Sequence, residues 1–298
     1  MTHDNLIDSV PKSLPPTPQV DEMLEKSRKI IERAIMIYQP YAIVAMISGG
    51  KDSLCAFHVA KKMGIFITHI CHGVTGTGIE DTTMFVRGMA AGENIIYEEA
   101  RAGKDYEDYV LRKGFFGIGR YAHTFSYHIL KSKPFRGVIT KIRGTGIGTK
   151  KRKILLLNGA RAEESAAREG NPITGKIIRE DGGNIWVNII HNWRKIDRDA
   201  FLEQEEIEVN PVTKILCRSG ECMCGTMQSR AEREEASFYY PQWGKWINDL
   251  EVIVRKEFGY GWGEDLPPGW IRPNPVGSYT PMCIDCLDKK EDEGDKDV

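Results

Sequence analysis

Residues 41–64 read YAIVAMISGGKDSLCAFHVAKKMG: a short apolar run, a glycine loop, then apolar residues at helical spacing up to a glycine stop. The order is strand, loop, helix. In an open parallel sheet, ligands collect beyond the C-terminal ends of the strands, which is where this loop falls. Ser48, Gly49 and Gly50 let the backbone approach an anion. The helix starting near Asp52 offers N–H groups and the positive end of its dipole, and Lys51 adds a point charge. Phosphate is the natural guest. A Walker A loop has four residues between its first glycine and its Gly-Lys pair, whereas Gly49 and Gly50 adjoin Lys51 directly.

On either side, strands alternate with helices. Residues 20–38 carry apolar side chains near helical spacing, and Pro40 ends that helix. After the loop, IFITHIC (65–71) reads as a second buried strand, DTTMFVRGMAAG (81–92) as a helix capped by Asp81, and NIIYEEA (94–100) as a third strand. Helical segments follow near 105–113 and 121–133. A fourth buried strand opens KILLLNGARAEES (153–165), a fifth is expected within NIWVNIIHNW (184–193), and Asp197 is expected to cap a helix over 197–206. This alternation predicts an α/β, Rossmann-like fold, a parallel twisted sheet with helices on both faces. The expected organisation is a disordered, proline-rich arm over 1–19, a nucleotide-binding domain over 20–210, a small cysteine-containing region over 211–287 and a charged tail over 288–298.

A net charge of −1 gives the 298-residue chain no global attraction to polyanions, so any basic surface is local. Residues 131–153 form one, with nine Lys or Arg and no acid, suited to a nucleic acid, to a sulfonucleotide or simply to solvent. No run of eighteen apolar residues and no signal peptide is present, so a cytoplasmic protein without a membrane partner is expected. Five of the seven cysteines, Cys217, Cys222, Cys224, Cys283 and Cys286, lie in the C-terminal third, while Cys55 and Cys71 sit in apolar company. The five supply enough soft ligands for a tetrahedral zinc or a [4Fe–4S] cluster; a redox-exchanging thiol pair and inert core cysteines are the alternatives.

The string SGGKDS (48–53) resembles the PP-loop of the N-type ATP pyrophosphatases. NGARAEESAAR (158–168) resembles the Gly-x-Arg-x-x-Glu-Ser signature of the phosphoadenosine phosphosulfate (PAPS) reductase family within that superfamily, matched at Gly159, Arg161, Glu164 and Ser165. An arginine at a strand terminus can fork onto a phosphate or sulfate, and a nearby carboxylate can fix it or meet magnesium. An ordinary salt bridge between Arg161 and Glu164 is the plainer reading. The resemblance extends over about residues 42–226 and implies an adenine nucleotide alpha hydrolase-like fold. It implies that Ser48, Gly49, Gly50, Lys51 and Ser53 hold phosphates, that Asp52 places Mg or caps the helix, and that Lys51, Asp52 and Arg161 act in catalysis. His72 and Lys131 would line the nucleotide and anion pocket. Trp193, Asp197, Asn210 and Pro211 read as structural.

The resemblance has gaps. Reductases of the family commonly carry a cysteine near Ser126, and they carry their nucleophile in a C-terminal Glu-Cys-Gly-x-His element; this chain has neither. The related DNA phosphorothioation enzymes hold an iron–sulfur cluster on cysteines after the same strand and turn, which favours a cluster over zinc. The first functional expectation is therefore an enzyme that binds ATP and adenylylates an acceptor, releasing pyrophosphate, in sulfur transfer. A PAPS or adenylyl-sulfate reductase served by a thioredoxin-like reductant is the second. A non-catalytic subunit that binds nucleotide or nucleic acid is the third.

Overall fold

A computed structural model describes residues 18–269 of the chain, apart from 147, 149–151 and 165–175. The first half runs α1 (Val20–Tyr38), β1 (Ala42–Ile47), α2 (Lys51–Lys62), β2 (His69–Val74), α3 (Glu80–Ala91), β3 (Ile96–Arg101), α4 (Asp105–Lys113) and α5 (Arg120–Tyr127). A π-helical turn (His128–Ser132) leads directly into α6 (Lys133–Arg143), followed by β4 (Ile154–Asn158) and a 3-10 turn (Ala162–Glu164). Then come β5 (Ile178–Asp181), β6 (Asn184–Asn188), α7 (Lys195–Gln204), α8 (Pro211–Leu216), α9 (Arg230–Tyr239) and α10 (Pro241–Phe258). The strands form one sheet in the order β3-β2-β1-β4-β6-β5, parallel except where β5 pairs antiparallel with β6.

Strict alternation of side chains sorts the apolar residues onto two faces. Ile43, Ala45 and Ile47 of β1 join Leu155 and Leu157 of β4 and Ile185 and Val187 of β6 in a core closed by α1, α2, α3 and α7. Val44 and Met46 join Leu156 and Trp186 on the opposite face, which Phe135, Val138, Ile139 and Ile142 of α6 cover. Every residue of β1 is buried, as a central strand covered on both sides requires. A third apolar cluster lies outside the sheet and bridges the expected boundary at 210: Tyr106, Phe116 and Leu130 pack with Val212, Trp243, Ile247, Leu250 and Trp262.

Several local expectations shift. The second strand begins at His69 and not at Ile65, because the Thr68 hydroxyl occupies the Ile43 backbone, donating to its carbonyl (2.8 Å) and accepting from its N–H (3.1 Å). Asp81 lies inside the first turn of α3, whose N-cap is Ile79, so it favours the helix through the dipole and does not cap it. Asp197 stands three residues into α7, fully buried; it accepts from the N–H groups of Arg194 (3.1 Å) and Gln19 (2.7 Å) and so ties α1 to α7. The polar edge strand β5 was not expected, and the strand expected over 184–193 stops at Asn188. Residues 1–17, the charged tail, Cys283 and Cys286 lie outside the described residues. Among the described residues no helix is long and apolar enough to cross a membrane.

The docking of α1 turns on one buried hydroxyl. Ser27 Oγ donates to the Ile189 carbonyl (2.7 Å) and accepts from the indole N–H of Trp193 (2.8 Å), with Ser27 and Trp193 both in the core. Ser27→Ala leaves that N–H and carbonyl unpaired and is expected to lower stability by about 1–3 kcal/mol, measured by urea unfolding.

Candidate functional site

The chain leaves β1 for β2 and β3 on one side of the sheet and returns to β4 on the other, so the loops after β1 and β4 flank the point where strand order reverses. The loop after β1 is pinned from both directions. Gly49 has φ +80°, and a Cβ there would stand 2.8 Å from Thr82 Cγ2 and 3.1 Å from Asn210 Nδ2. Its carbonyl accepts from Asn210 Nδ2 and from the Thr213 hydroxyl, each at 3.2 Å, and Asn210 also donates to the Thr82 hydroxyl at 3.1 Å. Ser53 Oγ accepts from the Ser48 N–H (3.2 Å) and donates to the Gly50 carbonyl (2.9 Å), folding the loop onto the first turn of α2. Gly50 is the N-cap of α2, and no side chain caps that end. The helix therefore presents its positive end beside Lys51.

From the β4 side, Gly159 lies against the start of α2: a Cβ there would be 2.5 Å from the Asp52 carbonyl carbon and 2.7 Å from Ser53 N. Arg161 follows. Its Nε donates to Asp52 Oδ1 at 2.6 Å and its Nη1 to Glu163 Oε2 at 2.8 Å. Arg198 of α7 donates to the same Asp52 oxygen at 2.8 Å and grips Asp199 Oδ1 through Nε (3.0 Å) and Nη2 (2.8 Å). Both arginine side chains are buried, at 5% and 8% exposure, while Lys51 and Asp199 are about one third exposed and form a long ion pair, Nζ to Oδ1 3.5 Å. The motif glutamate Glu164 closes the 3-10 turn, and its neighbour Glu163 meets Arg161 and also accepts from the Lys195 N–H at 2.5 Å. Ser165 lies outside the described residues.

Other expected residues sit around this centre. His72 is fully buried; Nδ1 lies 2.7 Å from the Ile47 carbonyl and Nε2 3.4 Å from the Thr83 hydroxyl, so the ring ties the end of β1 to α3. Burial pushes it below the ordinary histidine range. Lys131, on the π-helical turn, pairs with Glu221 at 2.7 Å in a nearly buried contact. Of the basic stretch, Lys141 pairs with Glu98, Lys153 with Glu180, Arg143 bonds Asn184, and Arg152 lies over the Tyr41 ring, while Lys133 and Arg136 are exposed on α6. Three of its nine charges, those of Lys131, Lys141 and Lys153, thus meet carboxylates within the protein.

Cys222 and Cys224 hydrogen-bond each other in the loop after α8, where Cys224 Sγ also lies 3.3 Å from the Thr226 hydroxyl and 3.7 Å from that of Ser126. The hydrogen bond from Cys222, helped by Thr226 and Ser126, outweighs burial and holds Cys224 below the usual thiol range, whereas Cys222 is pushed well above it. Cys217 is exposed at the C-terminal end of α8 and does not complete a site with them: among the described residues, no group of three or more His, Cys, Asp or Glu could hold a metal ion. The pair fits a zinc or [4Fe–4S] centre as two soft ligands of the set such a group needs. For Mg, the oxygens at hand are those of Asp52 and Asp199, both already engaged by arginine; they fit a cation that arrives on a phosphate better than one held by protein alone. Cys55 and Cys71 are fully buried, and burial pushes the Cys71 thiol up to about 12.

The Ser48–Ser53 loop thus stands at the switch point of a doubly wound sheet, the usual place for a ligand in such a fold. The chain belongs to the phosphoadenosine phosphosulfate reductase domain family, whose profile matches residues 42–227. Solved structures similar to it include the phosphoadenylyl-sulfate reductase from Candida auris in a phosphate complex (13% identity, TM-score 0.44, covering 67% of this chain and 93% of that one). Another is the NH3-dependent NAD synthetase from Campylobacter jejuni (12% identity, TM-score 0.45, covering 80% and 93%). A third is the U34-tRNA thiolase NcsA from Methanococcus maripaludis, solved with its [4Fe-4S] cluster (15% identity, TM-score 0.42, covering 83% and 84%). No curated protein sequence is significantly similar to the chain.

Arg198, Asp199 and Glu163 are the participants that sequence reasoning missed. Each is one more charged residue on a helix or turn; the packing of α7 against α2 brings Arg198 and Asp199 to the loop, and Glu163 arrives with the turn that carries Arg161. The cysteine pair makes a pH-dependent signature. In metal-free protein the ultraviolet absorbance of one thiolate is expected to persist below the usual thiol range and to be lost as pH falls further; Cys224→Ser removes that transition.

Proposed function

We propose that this chain binds an adenine nucleotide, ATP in the first instance, with its phosphates on the Ser48–Ser53 loop, and transfers the adenylyl group to an acceptor in sulfur chemistry. The observation that carries this is the uncapped N-terminus of α2 at the switch point, with Lys51 beside it held only by a long contact to Asp199. An acceptor atom attacks the α-phosphorus, the bond to the bridging oxygen breaks, and pyrophosphate leaves with the electron pair. Lys51 and the α2 amides meet the charge that develops on that leaving group. Arg161 and Arg198 act one step back, fixing Asp52 and so the loop. Gly159 lets the two loops close on each other. Lys131, with Glu221, is the candidate contact at the far rim. Magnesium, when bound with the nucleotide, supplies further charge neutralisation on the phosphates, next to Asp52 and Asp199. Cys222 and Cys224 are the candidate soft ligands or thiols for the sulfur step, with Cys283 and Cys286 as the further ligands a cluster would take.

Family membership supports a second reading, reduction of a sulfonucleotide bound on the same loop. There a cysteine thiolate attacks the sulfur, the nucleotide phosphate leaves, and a thioredoxin-like dithiol then releases sulfite.

Anaerobically purified protein, titrated calorimetrically with ATP and with PAPS and assayed for sulfite in the presence of thioredoxin, separates these. The first reading predicts ATP binding that Lys51→Ala weakens about tenfold or more, with no sulfite from PAPS. Sulfite formation would establish the reductase reading in its place. Failure to bind either nucleotide would overturn both.

A further inference from the structure

Lys51 is the charge that the loop offers a phosphate, and within the protein it faces Asp199, Nζ to Oδ1 3.5 Å. Asp199 is not placed to swing away. The same oxygen is gripped by two nitrogens of Arg198, at 3.0 and 2.8 Å, and Arg198 is buried and anchored to Asp52 at 2.8 Å. A fixed, partly exposed anion therefore stands beside the lysine that an incoming polyphosphate must reach. Beyond compensating Arg198, whose other partner Asp52 is shared with Arg161, this carboxylate stands at the mouth of the loop, within reach of Lys51.

We infer that Asp199 is a specificity-determining residue that sets the loop to accept a polyphosphate carrying a divalent cation and to reject the bare anion. The inference rests on the nucleotide reading above. A bare triphosphate competes with Asp199 for Lys51 and is repelled by it, whereas a magnesium complex brings about two fewer negative charges and places a cation toward the carboxylate. Selectivity then comes from a built-in repulsive element as well as from attraction.

The test is calorimetric titration of ATP and of inorganic pyrophosphate, each in excess magnesium and in chelator, into the wild type, Asp199→Asn and Asp199→Glu. The wild type is expected to prefer the magnesium complexes. Asp199→Asn is expected to bind bare ATP and bare pyrophosphate about tenfold more tightly, the order expected of one unit charge acting over about 6 Å at a partly exposed site, with a much smaller change for the complexes. Asp199→Glu restores the charge and the preference. The same ordering is expected of Asp199→Ser, which removes the charge without placing an amide donor beside Arg198. A purely structural Asp199 would instead weaken all four titrations together. Unchanged or weaker binding of the bare anions in both charge-removing variants would overturn the inference while leaving the nucleotide reading intact. Absence of all binding to the wild type would overturn that reading, and this inference with it.

Discussion

One carboxylate oxygen organises the site. Asp52 Oδ1 accepts from Arg161, just after β4, and from Arg198 on α7, so the first turn of α2 is tied at one atom to two segments that are distant in the chain. Both guanidinium groups are buried, and removing the carboxylate would leave Arg161 only its contact with Glu163 and Arg198 only its contact with Asp199 among the ion pairs described above, a loss of about 1.5–3 kcal/mol for each charged hydrogen bond. The same contacts explain why Gly159 has no side chain, since backbone meets backbone there. They also explain why Arg161 is turned inward: it holds a residue in the first turn of α2.

The opposite side of the loop is held by neutral groups. Asn210 and Thr213 bond the Gly49 carbonyl, and the Thr82 hydroxyl, which bonds the Ser219 carbonyl, links α3 to the loop that carries the cysteines. That cysteine loop is in turn docked on the segment after β2, where Thr75 donates to the Glu221 carbonyl and Thr77 accepts from the Met223 N–H, and Trp243 of α10 donates to the Thr77 carbonyl. The candidate nucleotide loop and the thiol pair are therefore connected through hydrogen bonds, with Asn210 at the junction. Charges fix one flank of the loop and amides and hydroxyls the other, leaving Lys51 as the loosely held cation between them.

The strand-loop-helix core was legible because continuous burial of β1 and helical spacing in α2 leave few alternatives, and because SGGKDS and the Gly159–Arg161 turn keep their order. The strand shift at His69 was not legible. It depends on the Thr68 side chain taking backbone bonds that periodicity does not reveal. Nor was β5, whose four residues IRED form a polar edge strand. Helix α10 carries a readable signal, Trp243, Ile247, Leu250 and Val254 at helical spacing, that the sequence reading left unassigned. In the site, Arg161 was legible by motif, but its partners were not: Glu163 is one residue from the motif glutamate, and Arg198 and Asp199 lie more than a hundred residues from Lys51 and Asp52 and reach them only through the α2–α7 packing.

The most direct test of this account is amide hydrogen exchange with and without magnesium and ATP. The account predicts that protection rises at residues 48–54 and at 159–161, the two loops tied together by Asp52, with little change in the exposed face of α6. Protection confined to α6 or to other segments, with residues 48–54 unaffected by a nucleotide that binds, would contradict it.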